Sequence, residues 1–228
     1  EGRYLSADKI LVATGGHTYR PEETPGQELG ITSTDAFLLK DLPSRIVIAG
    51  GGFIACEFAT VFSGLGVETT IVYRGERILR GFDHDIRAHV HADLVRSGVN
   101  IISAATISEL APLADSRKLV TLSNSMRIEA DEVLWAVGRV PNTMNMGLEA
   151  AGVRLTERGA IVVDEYSRSS VPHISAVGDV TDRVNLTPVA IREAMAYVAT
   201  EFQNTPTAFD HADVASAVFS RPPVGAVG

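Results

Sequence analysis

Apolar positions along the chain fall into short runs punctuated by glycine, the pattern of strands and helices in alternation. Residues 9–13 (KILVA) are a short apolar strand that stops at Thr14-Gly15-Gly16, and a polar Pro/Gly segment follows to about Gly30. Arg45–Ala49 (RIVIA) is β-branched and reads as a buried strand. After a glycine turn, apolar residues at Ile54, Phe58, Val61, Phe62 and Leu65 predict a helix over 53–66, and ETTIVY at 68–73 completes a right-handed βαβ unit. A second helix over 85–97 ends at Gly98, as a left-handed cap would end it. It leads to a strand at 99–103, hairpin-like strands at 105–111 and Lys118–Leu122, and a last buried strand at 131–137 (DEVLWAV). Beyond Pro141 come two short strands at 160–164 and 173–177, a Gly178-Asp179 turn, and a helix over 189–202 started by Leu186-Thr187-Pro188. Residues 212–220 read as the first strand of a further domain.

Composition narrows the classes this pattern allows. With 20 Lys and Arg against 28 Asp and Glu the formal charge is −8, which lacks the basic footprint of a nucleic-acid binder. No apolar run approaches the roughly 18 residues of a membrane-spanning helix. The single cysteine, Cys56, has no internal partner for a disulfide, which points to a reducing compartment or at least away from a disulfide scaffold, and a cytoplasmic location is expected. His84 and His91 share a helix face without further ligands, so no metal site is expected. The chain opens at Glu1 without Met and stops in a Gly-rich run, so a piece of a longer polypeptide is expected.

The chemistry concentrates at Gly50-Gly51-Gly52-Phe53-Ile54-Ala55, a G-x-G-x-x-A turn between a strand and a helix. Gly50 allows the tight turn, Gly52 lets a pyrophosphate approach the backbone, and Ala55 lets the helix pack close to the strand. The helix N-terminus offers free N–H groups and its positive dipole end to phosphates. Three glycines also make ordinary loops; the strand–turn–helix context favours a dinucleotide. An NAD site would place Asp or Glu about 20 residues on, to bind the ribose 2′-OH. Here that place holds Tyr73-Arg74, with Arg77 and Arg80 just beyond. Arg74 and Arg80 suit a 2′-phosphate, so NADP(H) is expected over NAD(H).

Four ordered motifs, GGGFIACEFA, VYRGERILRGFD, LWAVGRVPNT and AVGDVTDRVNLTPVA, resemble the flavin-dependent pyridine nucleotide-disulfide oxidoreductases, most of all the bacterial and plant glutathione reductase type, over essentially the whole chain. The resemblance implies a Rossmann-like α/β domain, three-layered around a parallel sheet with an antiparallel β-hairpin crossover, flanked by part of an FAD-binding α/β domain. It divides the chain into 1–20, the end of a first FAD segment; 21–140, an NADPH domain; 141–208, a second FAD segment; and 209–228, the start of a C-terminal interface domain. For NADPH it implies Gly50, Gly51, Gly52 and Ala55 at the pyrophosphate and Phe53 as the lid of the nicotinamide pocket, where the family usually has Tyr. It also implies Ile54 and Glu57 near the nicotinamide, Arg74 and Arg80 at the 2′-phosphate, and Gly138 and Arg139 at the strand end. For FAD it implies Thr14 and Gly15 in the A-T-G turn, Asp179 on the ribityl chain, and Asn185 and Thr187 beside the flavin.

The same resemblance implies a homodimeric parent that moves electrons from NADPH through FAD to a redox disulfide and on to glutathione disulfide. That C-x4-C pair cannot come from one cysteine, and the His/Glu proton donor would lie past Gly228. No catalytic residue is therefore expected in these 228 residues, which should bind NADPH without reducing a disulfide. Two further readings stay open: a non-catalytic dinucleotide-binding module, and a piece of a related mercuric, trypanothione or dihydrolipoamide enzyme, the last disfavoured by Arg74.

Overall fold

The computed structural model describes residues 4–227, which form two compact units. The central unit holds Thr18–Gly138 with Ala215–Val227; the flanking unit holds residues 4–17 and 139–214.

The central unit is built on four parallel strands in the order Asn100–Ile102, Glu68–Val72, Arg45–Ala49, Glu132–Trp135. Alternation along a strand sends neighbouring side chains to opposite faces. Ile46, Ile48 and Ile71 pack with Ala55, Ala59 and Phe62 of the helix Phe53–Gly64 and with Val90 and Leu94 of the helix His84–Arg96. Val47, Ala49 and Val72 face the other way, onto Leu110, Val120 and Ala130 of an antiparallel sheet. That sheet comprises Ile107–Pro112, Lys118–Leu122 and Arg127–Ala130, and it completes three layers. Burial on both faces is why the strands read as continuous apolar runs.

Local signals set several boundaries. Asp83 caps the helix His84–Arg96 by accepting from the Asp85 N–H at 2.8 Å, and Gly98 follows its end at φ +94°. The third antiparallel strand, Arg127–Ala130, was not anticipated, because its polar sequence RIEA carries only one strongly apolar residue. The four-residue helix Ser33–Ala36 was also not anticipated, although Thr32 and Asp35 form a reciprocal capping box. Residues 212–220, expected to open a further domain, contribute the strand Ser216–Val218. It pairs antiparallel with Val224–Ala226, and Val218 is buried in the core beside the helix Phe53–Gly64.

In the flanking unit Ile10–Val12 runs parallel to Ile174–Ala176, above a core that includes Val12, Leu148, Val153, Ile161 and Val180. The expected strand at 160–164 is corrected: only an isolated bridge, Leu155 to Ile161, forms there. Gly159 at φ +80° turns the chain on one side, and Asp164 accepts from the N–H groups of Tyr166 and Arg168 on the other, so no ladder can extend. The helix Thr187–Phe202 starts two residues earlier than expected, with Pro188 in its first turn, where a missing N–H costs nothing.

Candidate functional site

Because the four central strands are parallel, their carboxyl ends share one edge. Gly50 follows Ala49, Tyr73 follows Val72, and Ala136 follows Trp135, with Ala49 in register with both Val72 and Trp135. The chain leaves Arg45–Ala49 toward Glu68–Val72 on one side and returns as Glu132–Trp135 on the other. Such a reversal is where open α/β sheets form a ligand crevice.

The turn itself is shaped by contacts that only glycine tolerates. Gly50 has φ +124°, and a Cβ there would sit 2.1 Å from the Ala136 carbonyl oxygen. A Cβ on Gly51 would enter the Tyr73 ring at 2.6 Å. A Cβ on Gly52 would meet nothing within 4 Å. The backbone is thus held from below at Gly50 and Gly51 and is open above at Gly52. Gly52 is also the N-cap of the helix Phe53–Gly64, with no side chain capping it, so the first N–H groups lack an intrahelical partner. The cradle fits a phosphate group. Ala55 is fully buried against the sheet, Ile54 is half-buried and Phe53 is exposed.

The arginine loop is fastened to this turn. The Leu79 N–H donates to the Gly51 carbonyl at 2.6 Å, while Ile78 and Leu79 bury their side chains in the core. Leu79 adopts φ +57°, rare for a bulky residue. Ala104 N–H donates to the Gly75 carbonyl at 3.0 Å, and Ser103 Oγ to that of Glu76 at 2.8 Å. Arg87, on the next helix, donates from Nε to the Ile78 carbonyl at 2.9 Å and from its other end to Arg77. Arg77 in turn donates to His84 Nε2 at 2.9 Å. Arg74 and Arg80 are exposed and have neither hydrogen-bond nor ion-pair partners among the described residues. Two cations stay free on a loop whose backbone is pinned. Sequence reasoning missed Arg87, because nothing in its spacing marks a side chain that ties down carbonyls nine and ten residues upstream.

Other expected residues take different places. Glu57 Oε1 accepts the Phe219 N–H at 3.0 Å, so its carboxylate is engaged by the tail of the same unit. Cys56 is buried, and burial first, then Glu57, pushes its thiol up to about 12. Burial, then Arg77, pushes His91 down from its ordinary value, and its Nδ1 is buried without a partner. Gly138, at φ +146°, accepts from the Tyr19 N–H at 3.0 Å. Arg139, expected beside Gly138 on the NADPH side, falls in the flanking unit, where it donates to the Gly16 carbonyl and lies 3.8 Å from Asp179.

In that flanking unit Thr14 Oγ1 donates to the Asn142 carbonyl at 2.7 Å, and the Asn142 N–H to the Gly15 carbonyl at 2.9 Å. Asp179 is half-buried at the start of a 3-10 turn, Gly178–Thr181. Asn185 Nδ2 donates to Asp182 at 2.9 Å, whereas its Oδ1 is buried and has no donor. Thr187 is exposed at the uncapped start of its helix. An orphaned acceptor, free helix N–H groups and a half-buried carboxylate suit a ligand rich in hydroxyl and imide groups. Among the described residues, no three His, Cys, Asp or Glu side chains gather as a metal ion would need.

These features meet in one family. The model of the pyridine nucleotide-disulphide oxidoreductases matches residues 1–194, and the chain belongs to that family. It is 44% identical to a glutathione reductase of Nostoc sp. (strain PCC 7120), over 99% of this chain and 51% of the relative. It is 43% identical to a trypanothione reductase of Trypanosoma congolense, over 98% and 46%. A chloroplastic/mitochondrial glutathione reductase of Pisum sativum is 42% identical, over 100% and 41%. Among solved structures, the HOCl-induced flavoprotein disulfide reductase RclA from Escherichia coli, as its Cu(II) complex, matches with a TM-score of 0.92 at 30% identity, over 98% of this chain and 52% of that one. The chain spans about half the length of the curated relatives it matches. Pyridine nucleotide-disulfide oxidoreductases use FAD, and glutathione reductases pair it with NADPH. Among the described residues, no helix is long and apolar enough to cross a membrane.

Proposed function

We propose that the chain is the NADPH-binding part, with a portion of the flavin-binding part, of a homodimeric disulfide reductase that acts on glutathione disulfide in a reducing, cytoplasmic setting. The observation that carries this reading is the open Gly52 turn fastened to a loop with two unpartnered arginines. In this proposal residues 21–140 form the NADPH domain, 1–20 and 141–208 two FAD segments, and 209–228 the beginning of an interface domain.

The net reaction is NADPH + H⁺ + glutathione disulfide → NADP⁺ + two glutathione thiols. When bound, NADPH supplies a hydride and FAD relays its two electrons toward a disulfide. The chain's residues seat these groups. Gly50, Gly51 and Gly52 admit the pyrophosphate, and the helix N-terminus meets its charge. Arg74 and Arg80 take the 2′-phosphate, and Phe53 covers the nicotinamide face beside Ile54 and Glu57. Asp179 accepts from the ribityl hydroxyls, Thr14 and Gly15 shape the turn beside them, and Asn185 and Thr187 border the flavin ring. No thiol step falls to Cys56, whose burial keeps it protonated. The 228 residues therefore bind NADPH without reducing a disulfide. The 43% identity to a trypanothione reductase supports a second reading, in which the substrate is trypanothione in its disulfide form.

Cofactor choice is tested by titrating NADPH and NADH into the chain and into the double variant Arg74→Glu, Arg80→Ala. Charge-assisted hydrogen bonds of about 1.5–3 kcal/mol each predict at least about a 100-fold loss of NADPH affinity. NADH binding should change by no more than about threefold. Equal losses for the two nucleotides would overturn the assignment.

A further inference from the structure

Glu193 is a carboxylate with no role in the reading above, and it is 2% exposed. It lies on the helix Thr187–Phe202, and three groups converge on it. Oε2 accepts the Gly178 N–H at 2.7 Å, while Oε1 forms an ion pair with Arg183 at 2.9 Å and a hydrogen bond with His211 Nε2 at 2.6 Å. All four residues belong to the flanking unit. Phe209 packs its ring edge-to-face on His211, with ring centroids 4.8 Å apart.

A carboxylate so buried is costly to keep, and an apolar residue of similar size would fill the space. What the carboxylate supplies is an acceptor for Gly178 together with a partner for Arg183 and His211. Gly178 opens the 3-10 turn at φ +76°, with a Cβ position 3.2 Å from Ala190 of the same helix, so the turn and the helix are in close contact. Without Glu193 the part-buried Gly178 N–H would lose its partner. The next residue is Asp179. Its own carboxylate stays half-buried, 3.8 Å from Arg139.

We propose that Glu193 is a positioning residue for the Gly178-Asp179 turn, itself held in place by Arg183 and His211, so that it fixes where Asp179 presents its carboxylate to the ribityl hydroxyls. This rests on the reading that Asp179 faces the flavin. The helix contributes more than its N-terminal dipole, because its second turn grips the acidic turn from behind. The segment at His211 is tied to the same point, so one carboxylate holds three stretches of chain together.

The test is amide hydrogen exchange and ¹⁵N–¹H spectroscopy on the full 228-residue chain. In the unsubstituted protein the Gly178 amide should exchange slowly although it lies at a turn, and fast exchange there overturns the proposal. In Glu193→Leu, which fills the space without an acceptor, the Gly178 amide should exchange at least about tenfold faster, with the Gly178 and Asp179 resonances displaced. Amides of Ile174–Ala176 should stay within about threefold of their original rates. Uniform loss of protection across the flanking unit would reduce Glu193 to a general stabilising residue and overturn the positioning role. In His211→Gln the carboxylate still reaches Gly178, so its amide should remain protected; loss there would move the role to His211. Adding FAD reads the other premise separately. Slower Asp179 exchange supports the flavin contact, and no change with FAD overturns that contact while the Glu193 clamp stands on the exchange data alone.

Discussion

The central unit covers a four-stranded parallel sheet on both faces, with helices on one side and an antiparallel sheet on the other, and carries half-exposed ion pairs such as Arg117 with Asp115 and Glu129. The parallel sheet of the flanking unit has two strands, Ile10, Leu11, Ile191, Met195 and Phe202 are exposed, and charges tie its elements. Lys9 and Arg168 both meet Glu201, Arg183 and His211 both meet Glu193, and Arg158 lies 3.2 Å from Asp182. Apolar burial is non-directional and tolerant of pH, whereas a buried ion pair places groups at defined points. The unit with the thinner core is therefore also the one whose turns are set by named charges.

Three measurements would break or sharpen that contrast. The largest effect is expected from Ile48→Ala, a fully buried position between sheet and helices, at about 2–5 kcal/mol of central-unit stability. Trp135, the single tryptophan, reports that unit in urea unfolding. Equal loss of amide protection at Ile174–Ala176 would break the contrast, because burial in one unit would then govern both.

Next comes Glu201→Gln, expected to cost the flanking unit at most about 1 kcal/mol, since Lys9 and Arg168 are partly exposed. Hydrogen bonds from Lys9, then from Arg168, hold the Glu201 carboxyl below its ordinary value. A lowered carboxylate value means that its contribution is fully present above the unfolded value of about 4.5 and is lost as pH falls through the folded one. The variant should therefore match the parent at low pH and diverge near neutrality. A constant difference at all pH values would remove charge as the cause.

The smallest effect concerns His91 in the central unit. Its folded value lies below the unfolded 6.5, so the unfolded chain binds more protons as pH falls through that value, and stability declines until the folded value is passed. His91→Gln should shrink the loss in urea midpoint between pH 7.5 and 5.5. An unchanged loss would assign the acid sensitivity elsewhere.

The parts of this architecture most legible in the sequence were those where local pattern and tertiary role coincide. RIVIA before three glycines specifies a buried parallel strand and a turn, and Arg74 and Arg80 stand out in an acidic chain. Residues 160–164 misled because AIVVD has strand composition, while the turns at Gly159 and Asp164 deny it a ladder. Arg127–Ala130 was hidden for the opposite reason: its stability comes from pairing with Lys118–Leu122, which an RIEA sequence does not announce. The Arg87 and Glu193 contacts were invisible because each joins groups 9 to 18 residues apart through carbonyls, N–H groups or buried charges that no periodicity records.

Leu79 carries a consequence for how cofactor preference can change. Its buried side chain, left-handed backbone and bond to Gly51 make the glycine turn and the arginine loop one rigid piece, assembled without help from Arg74 or Arg80. Nucleotide discrimination is then detachable from the scaffold. Both arginine side chains can be exchanged on an unaltered backbone, so a lineage could move between phosphorylated and unphosphorylated nucleotides by surface substitutions without passing through a misfolded ancestor.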